Sequence, residues 1–157
     1  MNKQTKKFRI SSKGFILTYP QSKIVNEKTV TINKEDLEYY LQPIFEKRII
    51  EQFIIAEEES GEQTPYRHFH VFIRTKFKKE ITRKETLDVK GIHGNYQSTR
   101  NNKQTIEYII KGPNVTVIKG ELNNKLQERI SPFGRFMYLI KFRKTNPEEL
   151  LSSIKNA

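Results

Sequence analysis

The stretch RHFHVFIR (67–74) decides how the rest of the chain is read. Side chains alternate along a strand, so Phe69, Val71 and Ile73 point one way while His68, His70 and Phe72 point the other. The first set is wholly apolar and has to face a core. The second places two imidazoles one above the other on a single side. This is the pattern of an antiparallel sheet with one face packed and one face available. Two histidines beside a basic segment are by themselves an ordinary surface, so the surroundings must decide whether they hold a metal.

The preceding strand supplies a third ligand. In IIEQFIIAEE (49–58), Phe53, Ile55 and Glu57 share one face, and Ile54, Ala56 and Glu58 share the other. The bulkier set belongs to the core, which leaves Glu58 on the histidine side. Two histidines and a carboxylate form an open site suited to Mn²⁺ or Mg²⁺, with substrate oxygens completing the shell. The strand pairs with a third one at 66–77 as a hairpin, through the turn-rich SGEQTP (60–65).

Further out, GFILTYP (14–20) is a strand closed by Pro20. Residues 33–48 form a helix with Asn33 as N-cap, with Leu37, Tyr40, Leu41, Ile44 and Phe45 on one face and a division at Pro43. IHGNYQ (92–97) is a short strand, residues 99–111 are a helix stopped by Gly112-Pro113, and VTVIKG (115–120) is a last strand. From Glu121 the character changes, with SPFGRFMYLIKFRK (131–144) and NPEELLSSIK (146–155) as short helices. The pattern is an α+β domain over 1–120 and a helical extension over 121–157.

The helix at 99–111 carries the chemistry opposite the histidines. At about 100° per residue, Ile106, Ile109 and Ile110 cluster on one side, and Tyr108 and Lys111 lie opposite with Arg100 and Gln104. The isoleucines bury and the tyrosine does not. Over a metal that grips a phosphate, Tyr108 is a candidate nucleophile.

Composition narrows the partners. The chain has no cysteine, which excludes disulfides, thiolate zinc sites and cysteine nucleophiles. No apolar run reaches the ~18 residues of a membrane span, and the lysines of the N-terminus precede no secretory apolar segment. An intracellular protein without membrane partners is expected. Twenty-nine Lys and Arg face 18 Asp and Glu, for a net charge of +11. The bases are clustered: residues 1–13 hold Lys3, Lys6, Lys7, Arg9 and Lys13 without an acid, and residues 74–84 hold six bases against Glu80. Nucleic acid is the leading partner.

Five segments together resemble the replication-initiator (Rep) proteins of geminiviruses and related circular single-stranded DNA viruses and plasmids, within the HUH endonucleases. FILTYPQ (15–21) is similar to their first motif, HFHVFI (68–73) to their His-hydrophobic-His metal motif, and YIIK (108–111) to their Tyr-x-x-Lys catalytic motif. IHGNYQ resembles a segment that precedes the tyrosine, with Gly94 where the family has proline, and FIIAEE (53–58) resembles the strand ending in the third metal ligand. The resemblance implies a ferredoxin- or RRM-like antiparallel sheet with helices packed on one face, the HUH endonuclease fold.

It further implies a rolling-circle initiator that nicks and joins single-stranded DNA at an origin stem-loop through a 5′-phosphotyrosine. Tyr108 would be the nucleophile, Lys111 its supporting residue, and Glu58, His68 and His70 the ligands of Mn²⁺ or Mg²⁺. Arg9, Phe15, Thr18, Tyr19, Arg67, His93, Asn95, Gln97, Arg100 and Gln104 are the expected DNA contacts, whereas Leu17 belongs to the core. The work would be done in the host nucleus for a eukaryotic virus, or in the cytoplasm for a bacterial plasmid. The tail from 121 resembles a linker or self-association segment. No G-x-x-x-x-G-K-[ST] phosphate loop occurs, so ATP hydrolysis is not expected of this chain. The competing readings are a non-catalytic binder of single-stranded nucleic acid, and a transposase or relaxase of the same single-tyrosine chemistry.

Overall fold

A computed structural model describes residues 7–60, 66–111, 114–130 and 132–142. Its centre is a five-stranded antiparallel sheet. β1 (Ile10–Pro20), β4 (Ile50–Ser60), β5 (Tyr66–Ile81), β6 (Asn95–Ser98) and β7 (Asn114–Lys119) lie in the order β6-β1-β5-β4-β7. A separate hairpin joins β2 (Ser22–Val25) to β3 (Lys28–Thr31). Among the described residues four α-helices pack on this sheet: α1 (Lys34–Phe45), α2 (Asn102–Ile109), α3 (Asn124–Arg129) and α4 (Pro132–Phe142). The α+β class and the antiparallel sheet are as the sequence leads one to expect.

Local chemistry explains the elements. The Asn33 side chain accepts from the Asp36 N–H at 2.8 Å, and the Asp36 carboxylate accepts from the Asn33 N–H at 3.0 Å. This reciprocal cap starts α1. Leu37, Leu41 and Phe45, four apart, are buried along one stripe. Pro43 is accommodated in the last turn, and the chain leaves the helix at Glu46 with φ +60°. Tyr40, expected on the buried face, is more than a third exposed.

The alternation of β5 holds in space. Phe69, Val71 and Ile73 belong to one core with Phe53, Ile55, Phe15, Leu17 and the α1 stripe. Phe72 belongs to a second core on the other face, with Ile54, Ala56, the α2 residues Ile106 and Ile109, and Ile110 at the end of that helix. Helical cover is therefore not confined to one face. α2, α3 and α4 close half of the second one, because Phe72 and Ile54 are as apolar as anything beneath α1. Leu122, Leu126, Ile130 and Tyr138 pack into this second core too.

Several elements differ in extent from expectation. β1 begins at Ile10 and β5 runs to Ile81, so the two continue as a ribbon past a bulge between Ser12 and Gly14. The β2–β3 hairpin is new; its turn residues Asn26 and Glu27 have φ +49° and +66°, the backbone of a two-residue type I′ turn. Residues 92–94 are not strand: a bridge between Val89 and Ile92 turns the chain there, and pairing resumes at Asn95. α2 starts at Asn102 with Asn101 as its cap, three residues later than expected. The 61–65 turn, Gly112-Pro113 and the 146–155 segment lie outside the described residues.

Candidate metal and nucleophile site

Register assembles the site. Asn95, Thr18, His70 and Ala56 form one row across β6, β1, β5 and β4, and Pro20, His68 and Glu58 form the next. Glu58, His68 and His70 are each partly buried, with one ligand atom apiece all within 4.8 Å of one another. His70 Nε2 lies 2.9 Å from Glu58 Oε2, His68 Nε2 lies 3.3 Å from it, and the two Nε2 atoms are 3.1 Å apart. Three donors aimed at one point, one of them anionic, fit a divalent cation. Glu57 faces the opposite way, and its carboxylate is 3.7 Å from Arg67.

The imidazole of His70 is also held from behind, where Thr18 Oγ1 is 3.2 Å from Nδ1. Burial lowers the His70 pKa below its usual 6.5, the adjacent His68 lowers it further, and Glu58 opposes both. The ring is thereby kept neutral, the form that has a lone pair for a metal.

α2 brings the tyrosine. Its isoleucines are buried against the sheet, whereas Tyr108 is 60% exposed, and its ring stands edge-on to that of His70 at 5.9 Å. Gln104 lies one turn before it on the same stripe, and Arg100 precedes the cap. Lys111 is exposed in the turn after the helix. The helix can come this close to the sheet because Gly14 has no side chain. A Cβ there would run into Thr99 Oγ1 and Asn102 Oδ1, while the Gly14 carbonyl accepts from Thr99 N–H at 3.0 Å. A glycine inside a strand pattern is a signal for close backbone approach, and Gly14 can be found from sequence on that ground.

The expected DNA contacts divide. Thr18, Asn95 and Gln97 lie on the metal face, the latter two exposed beside the site on β6. Arg67 is exposed at the strand end on the opposite face. His93 is exposed on the loop before β6, with Nδ1 2.7 Å from Asp88 Oδ1. Arg9 is far away, at the other end of β1, paired with Glu80 at 3.0 Å.

Phe15 and Tyr19 do not qualify. Both have no exposed surface, because they share the parity of Leu17 and point into the α1-side core. Phe15 meets Phe45 edge-on at 5.0 Å, and the Tyr19 hydroxyl donates to the Leu87 carbonyl at 2.6 Å. Tyr96, another candidate nucleophile by residue type, is excluded on the same ground. It is buried, its hydroxyl donates to Asp88 and accepts from Gly94 N–H, and burial raises its pKa far above that of a free phenol.

Comparison with known proteins identifies the family. The description "Geminivirus Rep catalytic domain" matches residues 8–125. The chain is 31% identical over 156 residues to the replication-associated protein A of Tobacco yellow dwarf virus (strain Australia), covering 98% of this chain and 48% of that protein. It is equally similar to the replication-associated protein of the same virus, covering 42% of it. Replication-associated protein A of Bean yellow dwarf virus is 29% identical over 155 residues, which cover 99% of this chain and 49% of that protein. The chain thus spans somewhat under half the length of these relatives. With the match running through every element that builds the site, this chain belongs to the geminivirus Rep catalytic domain family.

Proposed function

We propose that the chain is a replication-initiator nuclease domain that nicks and rejoins single-stranded DNA at an origin stem-loop by tyrosine transesterification. The observation that carries this reading is the edge-on contact of the Tyr108 and His70 rings, which sets an exposed phenol beside three convergent metal donors. Glu58, His68 and His70 would hold Mn²⁺ or Mg²⁺, which supplies positive charge to polarise the scissile phosphate. With Nε2 of His70 given to the ion, the ring proton sits on Nδ1 and donates to Thr18 Oγ1, fixing the imidazole.

Tyr108 Oη then attacks phosphorus. The Oη–P bond forms as the P–O3′ bond breaks, the phenol loses its proton, and the 3′-oxygen leaves as a hydroxyl. Lys111, three residues on, offsets charge accumulating on the phosphate. No water is consumed, so a 3′-hydroxyl returned to the same phosphotyrosine rejoins the strand. Asn95 and Gln97 present amides to the bases of the strand, and the surplus of basic side chains holds its phosphates.

All of these residues precede Gly112, so the division at residue 120 is one of chemistry: 1–120 nicks, and 121–157 supports the sheet and links or self-associates. Among the described residues no helix is long and apolar enough to cross a membrane. Origin nicking would take place where the DNA is copied, in the nucleus of a eukaryotic host or the cytoplasm of a bacterial one.

Incubation with single-stranded stem-loop oligonucleotides and Mn²⁺, followed by a denaturing gel, tests the proposal. A covalent protein–DNA band is expected with the natural sequence and is expected to vanish in Tyr108→Phe with DNA binding retained. Binding without any adduct would instead establish a non-catalytic module. Joining to a transposon end rather than an origin loop would favour a transposase.

A further inference from the structure

The metal face of the sheet has a second concavity. Along β5 the side chains His68, His70, Phe72 and Arg74 share that face, and Arg74 lies about 13 Å beyond His70 at ~3.3 Å per residue. There the N-terminal end of α2, the β4 residue Gln52 and the segment after β7 line an open cleft of about 280 Å³. Buried Phe72 and Ile106 separate it from the metal donors. One helix therefore serves two places, with Tyr108 at its far end and Asn102, Lys103 and Ile106 at this one.

The lining mixes polar and apolar groups. Gln52 is only 4% exposed, and it lines this cleft. An amide that faces the cleft can offer its donor and its acceptor to a ligand in place of water. Ile106, Leu122 and Leu126 supply apolar walls on either side. Arg74 is held by Glu51 at 3.3 Å, and the other two charged lining residues, Lys103 and Glu121, are of opposite sign. A site without net charge does not select a polyphosphate. Its volume lies just under the ~300–1,000 Å³ of ordinary small-molecule sites.

We propose that this cleft takes the base of one unpaired nucleotide, with adenine the best fit. A planar heterocycle suits the apolar walls, and a glutamine amide pairs bidentately with the N6 and N7 edge of adenine. The sugar and its phosphate remain at the mouth beside Lys103. The base can come from a free nucleotide or from a single strand held on the sheet; only the second source rests on the function proposed above.

The two sources are separated by following the Gln52 side-chain amide in ¹⁵N-edited NMR of the full chain, its signals assigned by through-bond correlation to the Gln52 backbone. Titration with dAMP is expected to move them and dCMP to move them less. An oligoadenylate is expected to move them, and the same oligomer with abasic sugars is not. A response to the oligomer alone assigns the strand as the source. Gln52→Leu is expected to weaken dAMP or oligoadenylate binding at this site about tenfold, the loss of one amide–base pair. Unmoved Gln52 signals with dAMP and oligomer alike overturn the proposal, as does an equal response to the abasic oligomer. These readings need no variant to fold. Tyr108 adduct formation is scored separately, so loss of one result leaves the other standing.

Discussion

The two faces of β5 are built from alternate residues of one segment and do opposite work. Phe69, Val71 and Ile73 are wholly or almost wholly buried beneath α1, whose Leu37, Leu41 and Phe45 complete that core. One residue out of phase, His68 and His70 turn their Nε2 atoms to Glu58 at the margin of the second core, which begins only at Phe72. The closed face supplies rigidity and the half-open face supplies chemistry, and a substitution's effect should follow the parity of its position.

The largest expected effect is at Glu58. Glu58→Ala removes the only anion among the three donors and should lower Mn²⁺ affinity and metal-dependent nicking about 100-fold or more, beyond the loss typical of an outer partner. Glu57→Ala, one residue away on the other face, should leave the Mn²⁺ response unchanged. Calorimetric Mn²⁺ titration of both variants breaks the comparison if they behave alike.

Next is the closed face. Phe69→Ala should cost about 3–5 kcal/mol of stability, read from urea unfolding, while folded protein keeps its Mn²⁺ affinity. Thr18→Val sharpens the comparison at smaller scale. It removes the hydroxyl behind His70 Nδ1 without altering the core, and should weaken Mn²⁺ binding about tenfold with little change in melting temperature.

The smallest effect is a pH dependence. The folded pKa of His70 lies below its unfolded value, so between the two the unfolded chain binds the extra proton. Its contribution to stability is complete above the unfolded pKa, near 6.5, and is lost as pH falls through the folded value. The metal-free melting temperature should fall between pH 7 and pH 5, and His70→Gln should flatten that fall.

Parity made much of this legible in the sequence. His68, His70 and Glu58 sit on two strands whose alternation can be counted, and Asn33 with Asp36 marks the start of α1. The helical period likewise separates Tyr108 from Ile106, Ile109 and Ile110. What alternation does not give is which side of β1 lies inward. Phe15, Leu17 and Tyr19 alternate with Ile16, Thr18 and Pro20, and both sets mix apolar and polar groups. Tyr19 reads as a surface residue until its hydroxyl is seen to reach the Leu87 carbonyl, 68 residues away in the chain. The β2–β3 hairpin was hidden for a local reason. Its turn is Asn26-Glu27, with glutamate where glycine usually announces φ > 0. The cleft beside Gln52 has no sequence signature, because its walls come from four distant segments.

Gly14 connects the two levels. Gly14→Ala places a methyl group where Thr99 and Asn102 stand, so it should push the start of α2 off β1 and carry Tyr108 with it. Adduct formation should drop by up to about 100-fold, the cost of a misplacement near 1 Å. Mn²⁺ affinity should hold, since no donor is on α2.

The pairing of three strands into one site also sets a rule of length. Adding one residue between His70 and Val71 would turn every later side chain of β5 over, sending Phe72 to the α1 side and Val71 and Ile73 to the metal face. Adding one between Glu58 and the end of β4, or anywhere up to Tyr66, leaves the pairs Glu58↔His68 and Ala56↔His70 intact. Insertions and deletions in descendants of this sequence should therefore collect in the β4–β5 connection, and the stretch from His68 to Ile73 should pass between them unchanged in length. The connection is also where a tag or a second binding module can be inserted without disturbing the strands on either side.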